Sequence, residues 1–275
     1  MEYQVNYISP EIKLSCYEGR LFKTEAAFDD HLLVWLISGE TQLMQADGSF
    51  VFGAGSTFLI PRIQPATILN YPKDGLPHKA VAMHLSQQRL REFFSTLQPP
   101  HLKNAASRIR SFDRHPLLES CLASLIPYFE MPHDFPENIA SLKINEAVNI
   151  LRTIDPTVDT VLHNFEEPGK LNLADFMERN FMFNMPLEKF AYLTGRSLTT
   201  FKRDFYRAFG STPQRWLTRK RLELAHYRLA QQRIKPAEVY LQVGFENLSH
   251  FSAAFKKEFG MTPTQLRTNR PGTLP

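Results

Sequence analysis

The chain has 275 residues and carries 32 Lys and Arg against 28 Asp and Glu, a formal charge of +4. That length suits two ordinary domains, each able to bury its own core, and two cysteines, Cys16 and Cys121, exclude a disulfide framework or a cysteine metal site. Charge is segregated: from Lys170 onward there are 18 Lys and Arg against 8 Asp and Glu, whereas residues 1–169 hold 14 against 20. A basic C-terminal third fits a polyanion partner, although a basic half can also be a solvated or anionic-membrane-facing surface. The opening MEYQVNYISPEIKLSC lacks a basic region followed by an apolar core, and the longest purely apolar run, Leu32 to Ile37, is far short of a span. A soluble, cytoplasmic protein with no membrane partner is expected.

From Tyr3 to about Leu85, short apolar or alternating runs are broken by turn residues, a β signature. The runs include Leu32 to Ile37, Thr41 to Gln45, Ser49 to Phe52, Thr57 to Ile60, Ala66 to Leu69 and Lys79 to Leu85, with Asp47-Gly48 as a hairpin turn. Strands of this spacing predict a small barrel or sandwich. Phe22, Trp35, Phe50 and Phe58 either line a ligand pocket in it or form plain core.

From Ser86 to about Glu166 the period becomes helical. Ser86 caps QQRLREFFSTL, and after a Pro and His-rich loop come PLLESCLASLIPYFE and ENIASLKINEAVNILRTI, with apolar residues three and four apart. Leu142, Ile144, Ala147, Val148 and Leu151 make an apolar stripe that either covers the barrel or forms a homodimer interface. The first domain is thus expected over residues 1–163, with the barrel at about 3–85 and helices at 86–163. A linker, NFEEPGK, follows at 164–170.

The remainder, 171–269, is organised by a repeat at an offset of fifty residues. Pro186 pairs with Pro236, Glu188 with Glu238, Phe201 with Phe251, Phe205 with Phe255, Gly210 with Gly260 and Pro213 with Pro263. Each copy reads as helix, glycine turn, helix, at about 186–209 and 236–259, with Leu198, Phe201, Phe205 and Phe209, or Leu248, Phe251, Phe255 and Phe259, as the inward row. Thr212-Pro213 starts a long connecting helix in which Trp216, Leu217, Leu222, Ala225 and Leu229 can pack while Arg215, Arg219, Lys220 and Arg221 stay solvated. The fold class expected is therefore two domains: a small β-barrel followed by helices, then an all-α domain of two helix-turn-helix units joined by a long helix.

RSLTTFKRDFYRAFGSTPQRWLTRKRLELA and QVGFENLSHFSAAFKKEFGMTPTQLR resemble the two DNA-binding units of the AraC/XylS family, and HLLVWLISGETQLMQADGSFVFGAGSTFLIPRIQPATI resembles the cupin-like sensor barrel of many of its members. The resemblance implies a transcription regulator, usually an activator, that binds double-stranded DNA and acts with RNA polymerase. It further implies control through the barrel by a small-molecule effector or, as in activators of type III secretion, by a regulatory protein. By position it implies base contacts from Thr199, Lys202 and Arg203, and from Ser249, Ser252 and Ala253. Lys202 and Arg203 can each donate to guanine O6 and N7, whereas Ala253 offers at most a methyl. The first unit is thus expected to read sequence and the second mainly to anchor. Phosphate contacts are expected from Arg196, Thr200, Asn247, His250 and Lys256, with Lys257 beside them.

A cupin-type enzyme or binding protein is the rival class; it would need a metal set or paired acid and base groups. His31, His78 and His84 are scattered, and Ala66 follows Pro65 where a metal-binding cupin would usually offer a histidine. No catalytic residue, cofactor or metal is expected.

Overall fold

In a computed structural model, residues 3–19, 21–95, 97, 108–112, 114–131 and 137–268 are described. The Pro and His-rich loop after the first helix and residue 269, the expected end of the second domain, lie outside these residues. The chain divides into two compact units, Met1–Glu166 and Glu167–Pro275.

The first unit opens with β1 (Tyr3–Ser9), β2 (Ile12–Tyr17), β3 (Phe22–Ala26), β4 (His31–Ser38), β5 (Glu40–Gln45), β6 (Gly48–Gly53), β7 (Thr57–Ile60), β8 (Ala66–Tyr71) and β9 (His78–Leu85). They form two antiparallel ladders, β1-β2-β9-β4-β7-β10 and β3-β8-β5-β6, where β10 is Arg110–Phe112. The result is a cupin-like pair of facing sheets, with β10 as an extra edge strand that sequence periodicity did not reveal. The β5–β6 hairpin pairs Gln45 with Gly48, so its two-residue loop is Ala46-Asp47, one position before the expected turn.

Leu32, Val34 and Leu36 of β4 face Leu43, Phe52, Phe58 and Ile68 between the sheets. Leu33 and Trp35, alternating with them, face the opposite way into a second core with the helices. β4 is therefore buried on both faces, which is why it reads as a continuous apolar run.

Helices α1 (Gln87–Ser95), α2 (Pro116–Ala123), α3 (Ile126–Glu130), α4 (Glu137–Ile154) and α5 (Asp159–Leu162) cover the larger sheet. Ser86 accepts from the Arg89 amide at 3.4 Å, capping α1, and the Arg89 guanidinium grips Glu11 in a fork at 2.7–3.0 Å. The expected single helix over PLLESCLASLIPYFE is two, because Pro127 has no amide proton to donate and its ring crowds the preceding turn. Ile144, Ala147, Val148 and Leu151 are buried in their own unit, so this stripe covers the sheet and does not form a free interface. Leu142 does not belong to it: its side chain is 64% exposed.

The second unit contains α6 (Leu173–Asn180), α7 (Leu187–Leu193), α8 (Leu198–Phe209), α9 (Pro213–Ala230), α10 (Pro236–Gln242), α11 (Leu248–Phe259) and α12 (Pro263–Thr268). Helices α7 and α8 form one helix-turn-helix and α10 and α11 the other, with α9 between them.

Residues 164–170 are docked at both ends. Phe165 lies beneath the Arg91 guanidinium at 4.3 Å and the Glu166 carbonyl accepts from Arg62 at 2.9 Å, while Glu167 accepts from the Tyr192 hydroxyl at 2.6 Å.

Candidate nucleic-acid interface

The first helix-turn-helix is built by local rules. Helix α7 ends where the Thr194 hydroxyl bonds back to the Phe190 and Ala191 carbonyls, and the chain turns at Gly195 with φ +64°. A Cβ there would stand 2.6 Å from the Gly169 carbonyl, so the turn excludes any side chain. Ser197 then caps α8 by accepting from the Thr200 amide at 3.3 Å, and Gly210 closes the helix in the left-handed region. Phe201 and Phe205 are fully buried, with Phe205 edge-on to Trp216 at 5.5 Å.

With that row turned inward, Thr199 and Arg203 are exposed on the other side of α8 and Lys202 is exposed on its flank. The Arg203 side chain is 60% exposed and makes only a loose pair with Asp204 at 3.4 Å. Tyr206 and Arg207, also exposed, continue the same face by one turn. Positions 199, 203 and 206 recur at helical spacing, a signal in the sequence that could have added both residues to the candidate surface.

Arg196, expected at a phosphate, is turned inward. Its side chain is only 7% exposed; the guanidinium donates to Asp204 at 3.2 Å and to the Leu171 and Thr194 carbonyls at 3.0 and 2.6 Å. Arg196 therefore fixes the turn to α8 instead of facing a phosphate. Burial pushes the Asp204 carboxyl up, but Arg196 and Arg203 outweigh it and hold the group below the usual carboxylate range.

In the second unit Asn247 caps α11 by accepting from the His250 amide at 2.7 Å, leaving its NH2 as a donor beside exposed Ser249 and His250. Ser252 is half-buried, while Ala253, Lys256 and Lys257 are exposed. Phe251 and Phe255 are fully buried; Leu248, expected in the same row, is exposed, lying in the first turn of the helix.

The two helix-turn-helix units are joined by a polar lock. Arg221 is not solvated as expected: it donates to the Phe181 and Phe183 carbonyls, each at 2.8 Å, in the segment before α7. Gly244, the turn of the second unit, packs on that segment so closely that a Cβ would lie 2.3 Å from the Met182 oxygen. Asn184 then donates to Glu246 at 2.9 Å. Lys220, likewise expected in solvent, pairs with Glu178 at 2.7 Å and lies over the Trp216 ring.

The four aromatic residues considered for a ligand pocket do not converge. Phe58 stacks on Phe52 at 3.9 Å between the sheets, and Trp35 faces the helices. Phe50 is exposed on edge strand β6, while Phe22 stacks on Tyr3 at 4.3 Å. The barrel histidines are equally dispersed. His78 bonds Thr41 at 2.8 Å and His31 accepts from the Arg62 amide at 3.1 Å. Burial, with the Arg62 charge adding to it, takes His31 down to about 3, and burial takes His78 down to about 4. Among the described residues, no group of three or more His, Cys, Asp or Glu could hold a metal ion.

A helix-turn-helix domain family matches residues 190–269 and the ExsA N-terminal regulatory domain matches residues 31–153. The chain is 25% identical over 260 residues to the HTH-type transcriptional regulator ExsA of Pseudomonas aeruginosa, covering 92% of this chain and 90% of ExsA. It is 29% identical over 188 residues to the virulence regulon transcriptional activator VirF of Yersinia enterocolitica, covering 67% of this chain and 69% of VirF. A crystal structure of apo ToxT from Vibrio cholerae aligns over 94% of this chain and 97% of its own at 13% identity, with a TM-score of 0.44. The two family matches and the likeness to ExsA and VirF support an AraC-family transcription regulator with an N-terminal regulatory unit and a C-terminal helix-turn-helix unit.

Proposed function

We propose that this regulator activates transcription by reading a specific duplex site with α8 and anchoring on it with α11. The observation that carries this is the outer surface of α8, where Arg203 stands exposed opposite the buried Phe201 and Phe205 and Lys202 stands exposed on their flank. Two cations at adjacent helical positions can fork onto guanine edges, each contact worth about 1–3 kcal/mol of discrimination. Thr199 completes the base-contacting set. Ser249 and Ser252 make the weaker base contacts, and Thr200, Asn247, His250 and Lys256 hold phosphates, which position without specifying.

The name of VirF as an activator supports the sign of regulation, and RNA polymerase is the partner that sign requires. The barrel unit receives the controlling signal, a small molecule or a regulatory protein, and the active form is a homodimer in the cytoplasm. The molecule works by binding rather than by catalysis. Supporting this, His78 and His84 lie six residues apart on β9, roughly 20 Å at strand spacing, with His31 bonded elsewhere.

Footprinting on a selected duplex tests the division of labour. Arg203→Ala is expected to relax preference at one base pair, and Ser249→Ala to change preference much less; the reverse pattern would overturn the assignment. Stoichiometric zinc, iron or manganese together with turnover would overturn the non-catalytic reading.

A further inference from the structure

The function just proposed leaves unused a row of exposed polar side chains on the connector α9: Gln214, Arg215, Thr218 and Arg219. Positions i, i+1, i+4 and i+5 share one helical face. Across from that face stands α11, and between them lies a groove of about 930 Å³. One wall carries Arg215 and Arg219, the other His250 and Lys257, and Leu222 and Ala254 line it between them.

Its charge is unbalanced. Arg215 and Lys257 have no acidic partner among the described residues, Arg219 is loosely paired with Glu223 at 3.5 Å, and Glu258 is the one acid lining the groove. Cations gathered on both walls of a concave surface repel one another and concentrate positive potential there, which an anionic chain relieves. The groove also borders the reading face of α11, because Ala253 belongs both to its lining and to the positions carried over as base contacts. A long side chain at 253 would reach into this space; a methyl leaves it open.

We infer that the groove seats one sugar-phosphate strand of the duplex, the strand bordering the major groove that α11 enters, with Arg215, Arg219 and Lys257 as its phosphate ligands. The connector is then a third DNA-contacting element, and Ala253 is a position kept small so that the strand can enter. This rests on the DNA-binding function proposed above and names a further part of its site.

The test uses the full chain and a duplex it selects from a random pool. Arg215→Ala and Lys257→Ala are each expected to reduce the slope of log affinity against log salt by about 0.9 while leaving base preference unchanged. Arg215→Lys, which keeps the charge, should retain the wild-type slope. Phosphate-ethylation interference should appear on the strand beside the α11 site and vanish there in Arg215→Ala. Ala253→Gln, which fills the groove, should weaken binding. If the wild-type chain selects a sequence but Arg215→Ala and Lys257→Ala change neither slope nor interference, the groove assignment fails and the DNA-reading function stands. If the wild-type chain selects no sequence, both fail.

Discussion

Arg221→Ala probes whether the two helix-turn-helix units are held as one body. Arg221 gives two charge-assisted bonds of 2.8 Å to the Phe181 and Phe183 carbonyls and a longer one of 3.5 Å to the Asn184 side chain. Hydrogen bonds to charged groups contribute about 1.5–3 kcal/mol each. Water can reach part of the vacated site, since Phe181 and Asn184 are only half-buried, so the net loss should be about 2–4 kcal/mol. Urea unfolding reads it, with Trp216 as the reporter after Trp35→Phe removes the fluorophore of the first unit. With a urea dependence of about 2 kcal/mol per molar, the midpoint should fall by about 1–2 M. A second readout isolates the geometric role: on selected DNA with one base pair inserted between the two contact regions, the wild type should lose affinity and Arg221→Ala should lose less. Arg219→Ala, on the exposed face of the same helix, serves as control. If Arg221→Ala shifts the midpoint no more than Arg219→Ala and discriminates spacing like the wild type, the lock has been misread.

Gly244→Ala attacks the same lock from the other side; it places a Cβ 2.3 Å from the Met182 oxygen at a φ of +86° and should cost about 2 kcal/mol or more in the same assay. The buried histidines predict acid sensitivity of the first unit. His31 and His78 titrate at about 3 and about 4 when folded against about 6.5 when unfolded, so their stabilisation is complete above pH 6.5 and is lost as pH falls toward 4. The slope is about 1.4 kcal/mol per pH unit for each, and melting of the barrel read through Trp35 should fall steeply between pH 6.5 and 5; a flat profile would contradict their burial. Arg62→Met removes the donors to the Asp29 and Glu166 carbonyls at 3.0 and 2.9 Å, and cleavage after Glu166 by a glutamate-specific protease should speed up about tenfold. An unchanged rate would show that Arg62 does not fasten this segment. Lys256→Ala should lower the salt slope by about 0.9 and spare base preference, whereas a change of preference would move Lys256 into the reading set.

What the sequence made legible was whatever depends on the chain's own period. The glycine turns, the Ser197 and Asn247 caps and the phenylalanine rows are local requirements, so a repeat of fifty residues exposed both helix-turn-helix units before any tertiary contact was known. What stayed hidden depends on what stands opposite. Leu32 to Ile37 is apolar throughout because β4 is covered on both faces, and nothing in such a run tells that Trp35 faces helices while Val34 faces the second sheet. The setting of the cations is hidden for the same reason. Arg196 and Arg221 have the polarity of surface residues, yet each guanidinium finds a set of backbone carbonyls supplied by a distant turn, and only the fold shows which arginines are bound inward. With those two turned inward, the exposed cations of these helices are Lys202, Arg203 and Arg207 of α8, Arg215 and Arg219 of α9, and Lys256 and Lys257 of α11. The repeat duplicates a shape, but the cations lie differently on each half, and the connector adds two that belong to neither copy. On the reading proposed above, a duplex meets three charged helices, with cations able to fork onto guanine leading on α8 and cations suited to backbone leading on α9 and α11.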